Sequence, residues 1–143
     1  MQDVALSEAE PVETRFVEMV FPGHANHYGT LFGGTALSLM GKAAFVAAAR
    51  RARCNVVMAC SDRIAFDEPV RVGELIELVA SVVRVGGSAM TVAVDMIRED
   101  LMSGHRKAVV RGTFEMVAVN AGGRPIRIPK PKHVSQADKE MAS

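Results

Sequence analysis

A loop that could grip a carbonyl group precedes the longest helix predicted for this chain. Asn26 offers a side-chain amide donor, and Gly33 and Gly34 stand directly before the helix. Glycines let a backbone approach a ligand closely, and the free N–H groups of a helix start place positive partial charge near a carbonyl or an oxyanion. The residue types therefore favour acyl chemistry. A phosphate-binding loop is excluded because neither Gly-Lys-Ser nor Gly-Lys-Thr follows.

Each of these residues also has a purely structural interpretation. Glycine pairs are common at tight turns that have no other role, and asparagine often accepts hydrogen bonds within its own turn. Asn26 could serve its own loop, a substrate, or both, and the sequence leaves these alternatives open.

The predicted helix contains no carboxylate that could act as a general base, because residues 35–53 contain neither Asp nor Glu. His27 lies beside Asn26 and titrates near neutrality, so it is one candidate base, and Asp62 is another. Both have more common roles, since loop histidines are usually solvated and Asp62 can pair with the neighbouring Arg63.

The composition limits the class of protein. A chain of 143 residues, 49% of them hydrophobic, can form one domain with one core. A net charge of +1, with one Tyr and no Trp, excludes nucleic acid as the main ligand. Cys54 and Cys60 lack metal or redox spacing and are interpreted as core or interface thiols in a reducing compartment. The N-terminus has no signal-peptide pattern and no apolar run approaches the length of a membrane span, so we expect a cytoplasmic protein without membrane contact.

Hydrophobic periodicity predicts the elements that must position the loop. The helix is predicted over Thr35–Arg53, which contains no proline and is crowded with alanine. Gly86 and Gly87 predict a hairpin in which both adopt positive φ. The methionines, Met58 among them, are interpreted mainly as core filling, and some of them could line an acyl channel. The predicted strands are Val12–Phe21, Val56–Phe66, Leu75–Val85, Ala89–Arg98 and Lys107–Val119.

These elements predict one α+β domain over residues 12–132, in which an antiparallel sheet of about five strands wraps one long central helix. The segments 1–11 and 133–143 are polar and are predicted to be flexible tails.

Three groups of residues, in this order along the chain, resemble a known family. The groups are Asn26, Gly29, Gly33 and Gly34 ahead of Leu39 and Met40; Asp62, Phe66 and Pro69 with Gly73 following; and Phe114, Val117, Ala118 and Val119 ahead of Gly123 and Pro125. Together they resemble the hotdog-fold acyl-CoA thioesterases, specifically the cytosolic acyl-CoA hydrolase branch. The resemblance covers about residues 13–131.

The resemblance implies a role for each part of the loop and helix. Backbone N–H groups at Gly33 and Gly34 would hold the thioester carbonyl, while the Asn26 side chain would position water or substrate. The family's acidic residue, a general base or nucleophile, follows the Leu-Met pair in the helix. Here that position is Gly41, followed by Lys42. Glycine is a poor residue for a helix interior, so helix stability does not explain its presence.

The resemblance also implies a set of substrate contacts. The CoA moiety carries phosphates, for which basic residues are expected. No metal is implied, and CoA enters only as part of the substrate, without a separate cofactor. The expected contacts are Gly29, Phe32, Arg71, Gly87, Ser88, Lys130 and Lys132.

Three functions compete at this point. The first is hydrolysis of acyl-CoA to a fatty acid and CoA. The second is an acyl-CoA binding or regulatory module, natural or engineered, that keeps the cleft and has lost turnover at Gly41. The third, a hotdog dehydratase, would need a His and acid pair that the helix does not supply. An exposed sheet edge and half a cleft predict a homodimer, and the resemblance implies a trimer of dimers.

Overall fold

A computed structural model describes residues 13–131 and contains one long helix, α1, against an antiparallel sheet. A short 3₁₀ turn, Pro22–His24, follows the first strand. Helix α1 spans Gly33–Ala52. The strands are β1 (Thr14–Met19), β2 (Asn55–Ser61), β3 (Ala65–Phe66), β4 (Leu75–Val85), β5 (Ala89–Glu99) and β6 (Arg106–Val119).

The sheet has the order β1-β4-β5-β6-β2, and β3 pairs with β6 beside β2. Every pairing is antiparallel. Helix α1 contacts all five main strands, so the sheet curls around it. The predicted hotdog fold is confirmed.

Alternation along the strands places apolar side chains under α1. In β5, Met90, Val92, Val94 and Met96 are each at most 1% exposed, and the residues between them face away from the core. The helix meets them with its alanines, whose short side chains let it lie close to the sheet. Its buried residues are Ala36, Met40, Ala43, Ala44, Ala47, Ala48 and Ala52.

Several predicted boundaries differ from the structure by one or more residues. Helix α1 begins two residues earlier than Thr35, and β1 is shorter than the predicted strand at both ends. The strand predicted over Val56–Phe66 is broken between β2 and β3. At the break the Asp62 carboxylate accepts the Arg63 N–H at 2.7 Å, which turns the chain. The turn places Ile64 over Gly112, where an added Cβ would lie 2.6 Å from the Ile64 side chain.

The prediction of positive φ at Gly86 and Gly87 was wrong, although the hairpin itself is present. Positive φ occurs instead at Gly29, Gly73, Gly104 and Gly123. The β4–β5 loop also contains Ser88, and its carbonyls are engaged elsewhere in the fold: Gly87 accepts the Ile128 N–H and Ser88 accepts the Ala118 N–H, both at 2.8 Å. The loop therefore packs on β6 and the segment after it, and does not form an isolated two-residue turn.

Within residues 13–131, no helix combines the length and the apolar character needed to cross a membrane. The predicted tails, 1–11 and 133–143, lie outside the described residues. Val12 and Lys132, the two ends of the predicted domain, lie outside them as well.

Candidate active site

One side-chain oxygen organises the loop before α1. Oδ1 of Asn26 accepts the backbone N–H groups of Tyr28 at 2.9 Å and Thr30 at 3.2 Å, and also the Thr30 hydroxyl at 3.2 Å. Because the amide oxygen holds its own turn, the amide nitrogen remains as the donor, and it has no acceptor among residues 13–131. The two interpretations of Asn26 left open by the sequence are therefore compatible.

The loop is also anchored to the chain segment between β3 and β4. Leu31 donates to the Val70 carbonyl at 2.7 Å, and Val72 donates to the Gly29 carbonyl at 3.1 Å. Gly29 has a φ of +78°, a conformation that L residues rarely adopt, so glycine is required at this turn. The loop thus enters α1 in a defined orientation.

Helix α1 begins without a cap. Its first intrahelical bond runs from the Ala36 N–H to the Phe32 carbonyl at 3.0 Å, and Phe32 supplies no side-chain cap. The N–H groups of Gly33, Gly34 and Thr35 have no acceptor within the described part of the chain. Three adjacent amide donors at a helix N-terminus form a cradle suited to a carbonyl oxygen that gains negative charge.

A cavity of about 270 Å³ opens beside this helix start. Most of its wall is apolar, but Asp67 and Glu68 also line it. Glu68 is paired with Lys107 at 2.5 Å and with Arg98 at 2.9 Å, and the hydrogen bond from Lys107 is the main cause of a lowered pKa of Glu68. Asp67 has no side-chain partner among the described residues.

Asp67 and Glu68 were not among the site residues predicted from the sequence. The signal that could have found them is their position between Phe66 and Pro69, two residues of the second group that resembles the family.

Gly41 lies on the outward side of α1, between Leu37 and Phe45, which are 41% and 47% exposed. A Cβ added at Gly41 would meet one atom within 4 Å, Cε of Met58 on β2, at 3.1 Å. Met58 is 44% exposed, so its interpretation as core filling was wrong. The position of the missing acid is therefore bordered by a thioether.

Neither candidate base lines the cavity beside the start of α1. His27 is exposed and stacks on Tyr28, with ring centroids 4.0 Å apart. Asp62 lines a shallow depression with Asp95 and Arg111. This depression lies on the face of the sheet that is turned away from α1. The structure does not bring Asp62 to the cradle at the start of α1.

Comparisons with known proteins decide the family. The family model for the thioesterase superfamily matches residues 28–105, and the uncharacterized acyl-CoA thioester hydrolase YkhA of Bacillus subtilis is 34% identical over 92% of this chain and 80% of its own length. The chain belongs to the thioesterase superfamily.

Solved structures of acyl-CoA hydrolases share its fold. The acyl-CoA hydrolase from Staphylococcus aureus, solved with butyryl coenzyme A and coenzyme A, has a TM-score of 0.79 and 27% identity, covering 90% of this chain and 79% of that one. An apo-hexameric acyl-CoA thioesterase has a TM-score of 0.82 and 30% identity, covering 93% and 85%.

In this thioesterase-superfamily chain, the expected substrate contacts fall into two groups. Gly29, Phe32 and Arg71 lie with the loop, since Thr30 bridges to Arg71. Gly87 and Ser88 lie at the other end of α1, next to the segment that leads to Lys130. Arg51 in the last turn of α1 donates to the Pro129 carbonyl at 3.0 Å, which ties that segment to the helix end. Lys132 lies outside the described residues.

The two glycines at the start of α1 are expected to respond differently to a methyl group. A Cβ at Gly34 would lie 2.7 Å from the Phe32 ring, whereas a Cβ at Gly33 meets nothing within 4 Å. We expect Gly34→Ala to be less stable than Gly33→Ala by ~0.5–1.5 kcal/mol in urea unfolding, because the half-exposed Phe32 ring must turn away from its preferred rotamer. Equal stabilities would show that Phe32 is not held over Gly34.

Proposed function

We propose that this protein binds acyl-CoA thioesters and hydrolyses them slowly. The observation that carries the proposal is the cradle of three unpaired amides, at Gly33, Gly34 and Thr35, which directly follows the loop held by Asn26. The thioester carbonyl oxygen would accept N–H bonds from the cradle, which stabilise the negative charge that develops on it. Water adds to the carbonyl carbon, the carbon–sulfur bond breaks, and the products are a carboxylic acid and the CoA thiol.

Slow turnover follows from two positions that lack proton-transfer groups. Solved variants of the Staphylococcus aureus hydrolase replace an asparagine, an aspartate and a threonine by alanine. In that protein the aspartate lies fifteen residues after the asparagine, and the threonine thirty-two residues after it. The same spacings from Asn26 lead to Gly41 and Met58, the two residues in contact here. Neither can accept or donate a proton.

The contact between Gly41 and Met58 also favours a second function, a binding or regulatory module. A single missing carboxylate would leave an empty space, but here a flexible apolar side chain occupies the position beside it. An apolar surface at that position can bind an acyl-CoA without promoting attack by water. The rate of turnover distinguishes the two functions.

A homodimer would complete the site. The cradle and the hairpin group lie at opposite ends of α1, ~25 Å apart at 1.5 Å per residue, so one chain does not place both around one reacting group. Two copies with antiparallel helices would bring the hairpin of one to the cradle of the other.

The surface available for this pairing is apolar and includes a free strand edge. Strand β2 ends the main sheet order, and Val57 and Met58 on it are about half exposed, as are Leu37 and Phe45 on the outward side of α1. We infer a dimer through β2 and α1, and a trimer of dimers agrees with the hexameric state of the related thioesterase.

The proposed reaction needs no separate cofactor, because the CoA moiety is part of the substrate. Cys54 and Cys60 are unpaired thiols, which suits a reducing compartment such as the cytoplasm.

Asn26→Asp separates the two roles of the loop asparagine. The carboxylate keeps an oxygen for the Tyr28 and Thr30 donors but removes the amide N–H groups and adds a negative charge. We expect unchanged thermal stability and a fall of ~10²–10³ in butyryl-CoA turnover. Asn26→Ala is the control and should lose both stability and turnover. An active Asn26→Asp variant would contradict the proposed role.

Gly41→Asp combined with Met58→Thr tests the missing chemistry. The double variant should raise kcat by ~10²–10⁴ with little change in KM, because a carboxylate at position 41 can act as a general base. Gly41→Asp alone should gain less, since Met58 Cε crowds the new side chain. The gain should appear as pH rises through the carboxylate pKa, because only the ionised form accepts a proton.

The matched control is Gly41→Asn with Met58→Thr, which has nearly the same shape without the base. A wild-type rate equal to that of the double variant would contradict the proposal. In that case Asp67, the unpaired carboxylate beside the cradle, would be the first residue to replace, followed by His27.

The proposed interface predicts a change in assembly. Val57→Lys places a charge on the free edge of β2 and should shift the protein to smaller species in light scattering at micromolar concentration. Val83→Lys is the control, because Val83 is exposed on β4, away from that edge. A monomeric wild-type protein, or equal effects of the two variants, would overturn the proposed dimer.

A further inference from the structure

A second cavity lies at the C-terminal end of α1, ~25 Å along the helix from the cradle. It has a volume of about 210 Å³, and Arg50, Arg51 and Thr14 line it together with four apolar residues. Its apolar wall consists of Ala47, Ala80, Val82 and Val85.

Two guanidinium groups share this cavity without a carboxylate. Arg50 Nη1 donates to the Thr14 hydroxyl and Arg51 Nη1 donates to the Pro129 carbonyl, both at 3.0 Å. Neither forms an ion pair with an Asp or Glu in the described range 13–131, whereas Arg15, Arg98 and Arg106 all do. Each guanidinium has five N–H donors, so most donors of the pair remain available.

Thr14 adds a buried polar group to the same wall. It is 5% exposed and is the one buried polar residue in the described part of the chain. Its hydroxyl oxygen accepts the bond from Arg50, while its own hydrogen has no acceptor among residues 13–131. An anion beside Arg50 would provide that acceptor.

The helix dipole alone does not account for this arrangement. Cations at a helix C-terminus offset the partial negative charge of the last carbonyls, but that interaction needs neither a cavity nor an apolar wall. Donors on one side and aliphatic side chains on the other fit a ligand with an anionic head and a short carbon chain. Inorganic phosphate would leave the apolar wall unused.

We propose that Arg50 and Arg51 bind the carboxylate of a short aliphatic acid, whose carbon chain lies against Ala47, Ala80, Val82 and Val85. The choice of this ligand class rests on the proposed function, because thioester hydrolysis releases such an acid. The cavity lies between α1 and the strands β1 and β4, at the opposite end of the sheet from β2 and the proposed dimer face, so the acid binds here as a separate ligand and not as a product still held at the site of reaction.

The test is a titration of the full-length protein with butyrate, followed by NMR of the backbone amides. The largest shifts are expected at Ala47, Ala80 and Val82. Arg50→Gln with Arg51→Gln should weaken butyrate binding about ten-fold or more, because charge-assisted hydrogen bonds are lost. Arg63→Gln with Arg111→Gln is the matched control, since it removes the same charge from the opposite side of the sheet.

Two further arms keep the test decisive. Arg50→Lys with Arg51→Lys keeps both charges if the glutamine variant folds poorly, and should bind butyrate more weakly than the wild type because lysine lacks the planar fork. Titrations with inorganic phosphate and with CoA should not produce shifts at the same three amides.

Absence of butyrate binding, equal binding by the two glutamine double variants, or phosphate or CoA occupying the cavity in its place would overturn the assignment. Asn26→Asp should leave butyrate binding unchanged, so a failure of the hydrolase proposal remains distinguishable from a failure of this one.

Discussion

The amide oxygen of Asn26 is the interaction on which the site depends. By accepting three hydrogen bonds from its own turn, it shapes the loop so that the chain enters α1 with no side chain placed to cap the helix. Most helices satisfy their first N–H groups with a Ser, Thr, Asp or Asn cap. Here Phe32 occupies that position, and the unsatisfied donors of Gly33, Gly34 and Thr35 remain available to a ligand.

The alanine-rich face of α1 allows this arrangement to be rigid. Small side chains let the helix lie directly on the methionines and valines of β5, and nearly all of that contact is fully buried. The first turn of α1 is therefore held by the core at one side and by the backbone bonds of Leu31 and Phe32 at the other. Preorganised donors of this kind stabilise a developing charge without reorganising during the reaction.

The outward side of α1 is apolar but partly exposed, whereas the side that packs on the sheet is buried. Gly41 and Met58 form an apolar contact there, on the surface that the proposed dimer would cover. The proposed function places binding and proton transfer on different faces of α1. A chain can retain the first while losing the second, because the Asn26 loop and the core packing do not depend on either residue.

The sequence by itself determined the fold class, the family and the cradle, because these follow from local patterns: alternation in the strands, an alanine-rich helix, and Asn and Gly residues in a fixed order before it. It could not determine the boundary between β2 and β3, since the break places Ile64 over Gly112 of β6, a residue far away in the sequence. For the same reason it assigned Met58 to the core and overlooked Asp67. Which side of an edge strand is covered, and which carboxylate reaches a helix start, depends on contacts between residues far apart in the chain, and only the tertiary structure decides them.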